Sequence, residues 1–340
     1  MSSSTTRQPG ASVGVLSRYI PRWARLPVAL ATTVLFNTVS YSLTAGVVGE
    51  EFAVIKRPIT APWQVFALAA WKAAELIGCW SARLDYLDVA CLSFLTTAPY
   101  FYLLYSFYSI SASACSCALA IDVVALALPF ALLRPLDKSH AYPTISTAIA
   151  KNDHEDDTKV PTPIDQDTNI RLNMTLLAAS LWAVVLFASY STWLPTYLVI
   201  YFDGIKDVTA AHSGNFLYLL ALALPMGMAA VDYLYTPAAR EARAPPPSAA
   251  EKAARFDPET ASLAQTLSYN LGLGAEGFSK KATILTRRTA VVALSQFANS
   301  LVKTYGTVEG TELGGAVAWS SVWALGTVAV GLAFGWASDV

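Results

Sequence analysis

Long apolar segments, separated by shorter polar ones, dominate the pattern of the chain. A helix needs about 20 predominantly apolar residues to cross a bilayer, and eight segments approach or exceed that length. They are Pro27–Gly49, Trp63–Trp80, Val89–Ile110, Ser113–Leu133, Met174–Phe202, Phe216–Tyr235, Thr289–Thr307 and Ala316–Trp336. The pattern therefore predicts an all-α, polytopic transmembrane helix bundle of about eight spans.

Two of these segments are less apolar than the others. Trp63–Trp80 contains Lys72 and Glu75, and Thr289–Thr307 contains several amides, hydroxyls and a lysine. Cytoplasmic loops of membrane proteins are enriched in Lys and Arg. If all eight segments cross and the N-terminus is cytosolic, 18 of the 23 Lys and Arg residues lie inside and only three lie outside. Removing Trp63–Trp80 reverses this bias, so eight spans are predicted, with seven as the alternative in which Thr289–Thr307 does not cross.

Polar stretches divide the predicted bundle into parts. Residues 1–26 form a basic tail without acidic residues, predicted to be cytosolic; the alternative is a mitochondrial transit peptide, which has a similar composition. Residues 27–133 form a four-span membrane half, and residues 134–171 form a polar, partly disordered loop. Residues 172–340 form the second membrane half, with a further polar loop at 236–288. The predicted location is a plasma or internal membrane, with a mitochondrial membrane as the alternative.

The composition favours a bilayer over a large soluble core. Apolar residues make up 54% of the chain, charged residues only 14%, and the mean hydropathy is +0.44. Soluble domains carry about 25% charged residues. The net charge of −1 offers no basic surface for nucleic acid. The lipid bilayer is therefore the predicted partner, and nucleic acid is excluded.

Asp122 is the most informative single residue, because it lies almost at the midpoint of Ser113–Leu133. A carboxylate at the bilayer centre costs about 2.5–3.5 kcal/mol on insertion scales, so it usually has a partner or a function. Lys72 lies at the midpoint of its own segment, and Asn37 and Asn299 lie one residue from the midpoints of theirs. Four predicted helices thus present a polar side chain at similar depth, where transporter sites commonly lie.

These polar residues admit two functional interpretations. Lys72 can pair with Glu75 at i,i+3 or with Asp122, but it cannot neutralise both. The remaining carboxylate would be protonated or would lie in a watery cavity, and either state suits a transporter that moves a proton or a small solute. The predicted substrate- or ion-binding residues are accordingly Asp122, Lys72, Glu75, Asn37 and Asn299. In the alternative, the same side chains hydrogen-bond between helices, at about 0.6 kcal/mol per contact, in a non-catalytic membrane scaffold.

Enzymatic chemistry has less support in the sequence. None of the three histidines falls within a predicted span, and no span carries a paired acidic metal-binding motif. No catalytic residue, metal or cofactor is therefore predicted, and the pattern argues against an enzyme. A third hypothesis, a membrane-embedded enzyme that acts on a lipid or isoprenoid, would need acids clustered at one interface of the folded bundle.

The last segment contains a pattern for close helix packing. Gly331 and Gly335 form a GxxxG motif, which lets the backbone of a second helix approach closely. That helix is predicted to come from the same chain, with a second subunit as the alternative.

The end of the chain also resembles a group of known proteins. Val308–Gly326, with the sequence VEGTELGGAVAWSSVWALG, and the arginine-rich start resemble multi-span membrane proteins of unassigned function encoded by filamentous fungi. The resemblance implies a membrane fold of several spans. It implies no activity and no site residue.

Overall fold

Helices form nearly all the regular structure, and the all-α fold class predicted from the apolar pattern is confirmed. The computed structural model describes residues 19–136, 168–209, 215–241, 262–263, 266, 273–274, 277–278 and 280–337. Within these ranges the helices are α1 (Arg25–Leu43), α2 (Glu50–Ala53), α3 (Pro62–Ser81), α4 (Tyr86–Phe107), α5 (Ala112–Leu133), α6 (Thr168–Thr192), α7 (Leu194–Tyr201), α8 (Phe216–Ala230), α9 (Thr236–Glu241), α10 (Lys280–Thr307) and α11 (Leu313–Ala337).

Short irregular elements join these helices. A 3-10 turn at Arg22–Ala24 precedes α1, and π-helical turns at Ala45–Gly49 and Val231–Tyr235 follow α1 and α8. A small antiparallel pair, β1 (Leu273–Gly274) and β2 (Gly277–Phe278), precedes α10. The division of the chain into tail, halves and loops stays a prediction, because much of its polar part lies outside the described residues.

Six helices are long and apolar enough, by length and composition, to cross a membrane. Among the described residues they are Arg22–Leu43, Tyr86–Phe107, Ala112–Leu133, Thr168–Thr192, Phe216–Ala239 and Leu313–Ala337. The predicted second and seventh spans are also helices, α3 and α10, with 20 and 28 residues. Both are too polar to be counted among the six. The eight-span count and the cytosolic N-terminus therefore stay predictions.

Local sequence explains where the central helices begin and end. Ser111 starts α5, because its hydroxyl oxygen accepts a hydrogen bond from the Ala114 N–H at 3.2 Å. The helix ends where Arg134, which precedes a proline, adopts an extended conformation. Asp85 caps α4 in the same way as Ser111, since its carboxylate accepts from the Asp88 N–H at 2.8 Å.

A proline divides the predicted fifth span, Met174–Phe202, into two helices. α6 ends at Thr192, and α7 begins at Leu194 with Pro195 in its first turn. In that turn the missing N–H of proline costs nothing, whereas inside a continuous helix it would remove a hydrogen bond. Of these two helices, α6 is the one long and apolar enough to cross a membrane.

α4 lies at the centre of the bundle, where it packs against α5, α8 and α10. α10 and α11 pack against each other, α11 also packs against α6, and α6 packs against α8. α1 packs against α5, and α3 contacts α1 and α10. Large side chains of α4, α6 and α11 fill the interior, among them Phe107, Trp182 and Trp319, each no more than 1% exposed.

The outer helices present apolar side chains to the surroundings. Val34 and Leu35 of α1 are 65% and 66% exposed, and Trp63 and Phe66 of α3 are 66% and 72% exposed. Lipid tails are as apolar as leucine, so a membrane helix loses little by leaving such side chains outside the bundle. The exposed faces therefore fit contact with the lipid bilayer.

Gly331 brings α10 and α11 into close contact. A Cβ atom at this position would overlap the Thr289 side chain. Gly335, one turn further along, is half-buried. At Gly331, the helix that meets the GxxxG motif is thus α10 of the same chain.

Candidate functional site

The carboxylate of Asp122 is buried and ion-paired in the bundle interior. It lies midway along α5, and its side chain is 8% exposed. The Lys303 ammonium of α10, with a side chain 10% exposed, lies 2.5 Å from Asp122 Oδ2. The Tyr41 hydroxyl of α1 donates to Asp122 Oδ1 at 3.4 Å. Three helices that are distant in sequence therefore meet at one carboxylate, and each of its oxygens has a donor.

Lys303 also faces two aromatic rings of α4. Its Nζ atom lies 5.6 Å from the centroid of the Tyr100 ring and 5.5 Å from that of Phe101. Both distances allow cation–π attraction, which strengthens where the cation is desolvated. Thr307 donates to the Lys303 carbonyl at 2.6 Å, and its hydroxyl lies 2.8 Å from the Tyr100 hydroxyl. One carboxylate and two rings thus stabilise the ammonium.

Lys72 and Glu75 form a second ion pair beside the first. Their side chains, 28% and 15% exposed, lie 3.0 Å apart at i,i+3 on α3. Lys72 also interacts electrostatically with Asp122, and Lys303 does so with Glu75. A carboxylate without a cation was expected because Lys72 alone could not neutralise two acids. The charge cluster of Lys72, Glu75, Asp122 and Lys303 instead contains two ammonium groups and two carboxylates, so its charges balance.

The two predicted asparagines lie elsewhere. Asn299 accepts from the Trp71 indole N–H at 3.1 Å and donates to the Thr97 hydroxyl at 3.1 Å, so it links α10 to α3 and α4. Asn37 Oδ1 is buried and has no hydrogen-bond partner among the described residues. Within this part of the chain, neither asparagine hydrogen-bonds to Asp122. The structure therefore joins three of the five predicted site residues in the charge cluster and separates the asparagines from them.

One face of α10 is polar and points into the bundle. Its members are 0% to 8% exposed and recur every three or four residues: Gln296, Asn299, Ser300, Lys303 and Thr304. This spacing places them on one side of a helix. Lys303 was not among the predicted site residues, although the spacing puts it on the same face as Asn299. That periodicity was the available signal that Lys303 points inward.

Gln296 compensates for a proline inside α4. Pro99 has no N–H, so the Leu95 carbonyl, four residues earlier, lacks its helical donor. The side-chain amide of Gln296 donates to that carbonyl at 2.7 Å, and its oxygen accepts from the Thr327 hydroxyl at 2.5 Å. The amide therefore links α4, α10 and α11 and satisfies the carbonyl that the proline leaves free.

Gln296→Leu is expected to lower the free energy of unfolding by about 1–3 kcal/mol, because the Leu95 carbonyl and the Thr327 hydroxyl lose their partner. Unfolding of the purified chain in detergent, by heat or SDS, measures the loss. Pro99→Ala restores an N–H at position 99, so Gln296→Leu should cost less in that background. An equal loss in both backgrounds would show that Gln296 does not act through the Leu95 carbonyl.

A further ion pair, which the sequence did not reveal, joins the start of α4 to α10. Arg288 donates to both carboxylate oxygens of Asp88, at 2.7 and 3.1 Å. It also donates to the Tyr233 carbonyl at 2.9 Å, and its guanidinium lies 4.8 Å from the Tyr233 ring centroid. Two parallel N–H···O bonds to a carboxylate are stronger and more specific than a single contact. The partners are 200 residues apart, so no local pattern could connect them.

The polar side chains in the described interior form ion pairs and hydrogen bonds to backbone carbonyls. Across the described ranges, no group of three or more His, Cys, Asp or Glu side chains is placed to hold a metal ion. The three histidines, at positions 140, 154 and 212, lie outside the described residues.

These features define the class of the protein, which is an integral membrane protein built as an all-α bundle with charged side chains paired in its interior. Residues 167–333, just under half of the chain, match the family model described as the bouquet formation protein 3 C-terminal domain. The family is of fungal type, which supports the resemblance found in the sequence at this level. No curated protein and no solved structure matches the chain.

The matched region and the site overlap only in part. Lys303 and Arg288 lie within residues 167–333, whereas their partners Asp122 and Asp88 precede them. Both buried ion pairs therefore connect the matched part of the chain to the helices before it.

Proposed function

We propose that the chain is a non-catalytic membrane scaffold that takes part in bouquet formation, the process named in the matching family. The observation that carries the scaffold role is the buried ion pair of Asp122 and Lys303, whose charged groups are 2.5 Å apart. The transporter hypothesis depended on a carboxylate without a cation. In the charge cluster each carboxylate has an ammonium partner, so these residues support helix assembly better than they support solute binding.

The proline of α4 supports the same conclusion. Transporter sites commonly use backbone carbonyls that broken helices leave free for an ion or a substrate. Here the carbonyl that Pro99 frees, that of Leu95, already accepts from Gln296. The carbonyl that a transporter could offer to an ion or a substrate therefore joins α4 to α10.

The position of the ion pairs supports the scaffold role. The matched region, residues 167–333, contributes Lys303 and Arg288, and the helices before it contribute Asp122 and Asp88. A domain of the bouquet formation protein 3 type would thus be fixed to the preceding helices by two charge pairs. Rigid fixation of this kind is what a scaffold needs, and it requires no substrate.

The test replaces the ion pair by apolar side chains of similar size, Asp122→Leu together with Lys303→Met. Such a replacement of a buried ion pair is often neutral or stabilising. We therefore expect the double variant to fold, and cells whose own copy carries it to complete bouquet formation. Asp122→Leu alone is the matched control, because it leaves Lys303 buried without a carboxylate and should reduce both folded yield and bouquet formation.

The competing functions give different outcomes in the same experiment. A transporter that uses Asp122 would show pH-driven flux in proteoliposomes, followed with an enclosed pH-sensitive dye, and the double variant would abolish it. That result, or loss of bouquet formation by a double variant that folds, would overturn the scaffold proposal. Normal bouquet formation after deletion of the chain would overturn the assigned process.

A further inference from the structure

Arg83 adopts a left-handed backbone conformation, which is energetically less costly for glycine than for arginine. It follows the last residues of α3 with φ at 59°. Its N–H donates to the Trp80 carbonyl at 3.2 Å, and the Leu84 N–H donates to the Cys79 carbonyl at 3.3 Å. This pair of bonds is the Schellman motif, in which the left-handed residue is usually glycine. A strained residue at such a position points to a role for its side chain.

The side chain of Arg134 is fixed beside Arg83. Its Nη1 donates to the Leu84 carbonyl at 3.0 Å and its Nη2 to the Trp80 carbonyl at 2.6 Å. The guanidinium carbon lies 4.1 Å from the centroid of the Trp80 ring. A guanidinium has five N–H donors, so these contacts leave part of the Arg134 fork available. We call Trp80, Arg83 and Arg134 the arginine corner.

The two guanidiniums of the arginine corner form a like-charge pair. Burial and the neighbouring Arg83 lower the pKa of Arg134 below its ordinary value. In the part of the chain that the structure describes, no acidic side chain is among the groups that act on Arg134. Asp85, the acid nearest in sequence to Arg83, is 3% exposed and caps α4. The corner therefore carries positive charge that the described fold does not neutralise.

The arginine corner lies at the ends of α3 and of α5, and α5 is one of the six helices long and apolar enough to cross a membrane. Arg83 follows α3, and Arg134 follows α5. The distribution of basic residues predicts that this end faces the cytosolic leaflet, whose anionic lipids attract juxtamembrane arginines. Tryptophan is enriched at membrane–water interfaces, so Trp80 fits the same depth.

We infer that the arginine corner binds the phosphate group of an anionic phospholipid. Guanidinium groups match phosphate oxygens with paired, charge-assisted hydrogen bonds. Arg83 is exposed, so its guanidinium would contact the phosphate on the solvent side. Arg134 is half-buried, so its guanidinium would contact the phosphate from its position at the ends of α3 and α5. Binding would neutralise the like-charge pair. It would also explain why an arginine occupies the left-handed position at the end of α3.

The test uses Arg83→Gly, which removes the charge and relieves the backbone strain together. The full chain in detergent is titrated with dioleoyl phosphatidylserine or dioleoyl phosphatidylcholine, and bound lipid is counted by native mass spectrometry. We expect preferential binding of phosphatidylserine, about fivefold weaker in Arg83→Gly, with a thermal midpoint that is unchanged or higher. A thermal midpoint of Arg83→Gly that is not below that of the unchanged chain excludes misfolding as the cause of the weaker binding.

Ser109→Gly is the matched control, because Ser109 is also left-handed, with φ at 54°, but carries no charge. It should leave phosphatidylserine affinity unchanged. Unchanged affinity in Arg83→Gly, equal binding of phosphatidylcholine, or displacement of phosphatidylserine by millimolar inorganic phosphate would each overturn the proposal. The proposal would also be overturned if Arg83→Gly weakened phosphatidylserine binding only in a chain whose acids at residues 153–157 had been replaced by amides. In that case the acidic segment, and not a lipid, would occupy the arginine corner.

Discussion

Lys303→Met is expected to destabilise the bundle by about 3–5 kcal/mol, since it leaves Asp122 buried without a cation. Asp122 is 7% exposed, so water cannot replace the ammonium. Its other donor, the Tyr41 hydroxyl, is 3.4 Å away and too distant for a strong bond. Methionine keeps much of the lysine volume, so the loss reports the missing charge more than a cavity. Unfolding of the detergent-solubilised chain by SDS or heat measures it.

Lys72→Met is the matched control, because it makes the same substitution in the same charge cluster. Lys72 and Glu75 are 28% and 15% exposed, and so are less buried than the Lys303–Asp122 pair, at 10% and 8%. The loss for Lys72→Met should therefore be smaller than that for Lys303→Met. Adding Asp122→Leu to Lys303→Met should recover most of the stability. Equal losses for the two lysines, or no recovery, would contradict the importance of the buried pair.

The helices of the bundle were predictable because the apolar runs that fill a bilayer also set helix length. The predicted segment Ser113–Leu133 and the observed α5 differ by one residue at the start. The predicted segment Met174–Phe202 was less accurate, because the sequence did not settle whether Pro195 kinks the helix or ends its spanning part. Such a choice depends on how the next residues pack, as the separate helix α7 shows.

The partners of buried charges were harder to predict than their burial. The cost of a carboxylate at mid-depth indicated that Asp122 has a partner, and the pair of Lys72 and Glu75 followed from spacing alone. Lys303 lies 181 residues from Asp122. Periodicity shows which face of α10 is polar. Only the packing of α10 against α4, which itself packs against α5, decides which carboxylate that face meets. Helical spacing therefore predicted the local pair of Lys72 and Glu75 but not the long-range pair of Asp122 and Lys303.

Arg288→Met is expected to cost about 3 kcal/mol of unfolding free energy, near the lower end of the range for breaking a buried ion pair. Asp88 is 3% exposed and would lose both N–H donors of the guanidinium. We expect a loss at the lower end of that range because the N-terminus of α4 stabilises a carboxylate in its first turn. Chemical or thermal unfolding in detergent gives the value.

Arg287→Met separates this ion pair from a general effect of basic residues at the start of α10. Arg287 is exposed, so its replacement should change stability by less than about 0.5 kcal/mol. Arg288→Lys should fall between the two, because an ammonium keeps the charge but cannot make the paired contact. Similar losses at both arginines would contradict the assignment. Since Arg288 belongs to the matched region and Asp88 precedes it, a large loss at Arg288 alone would mean that this region depends on the preceding helix α4 for its stability.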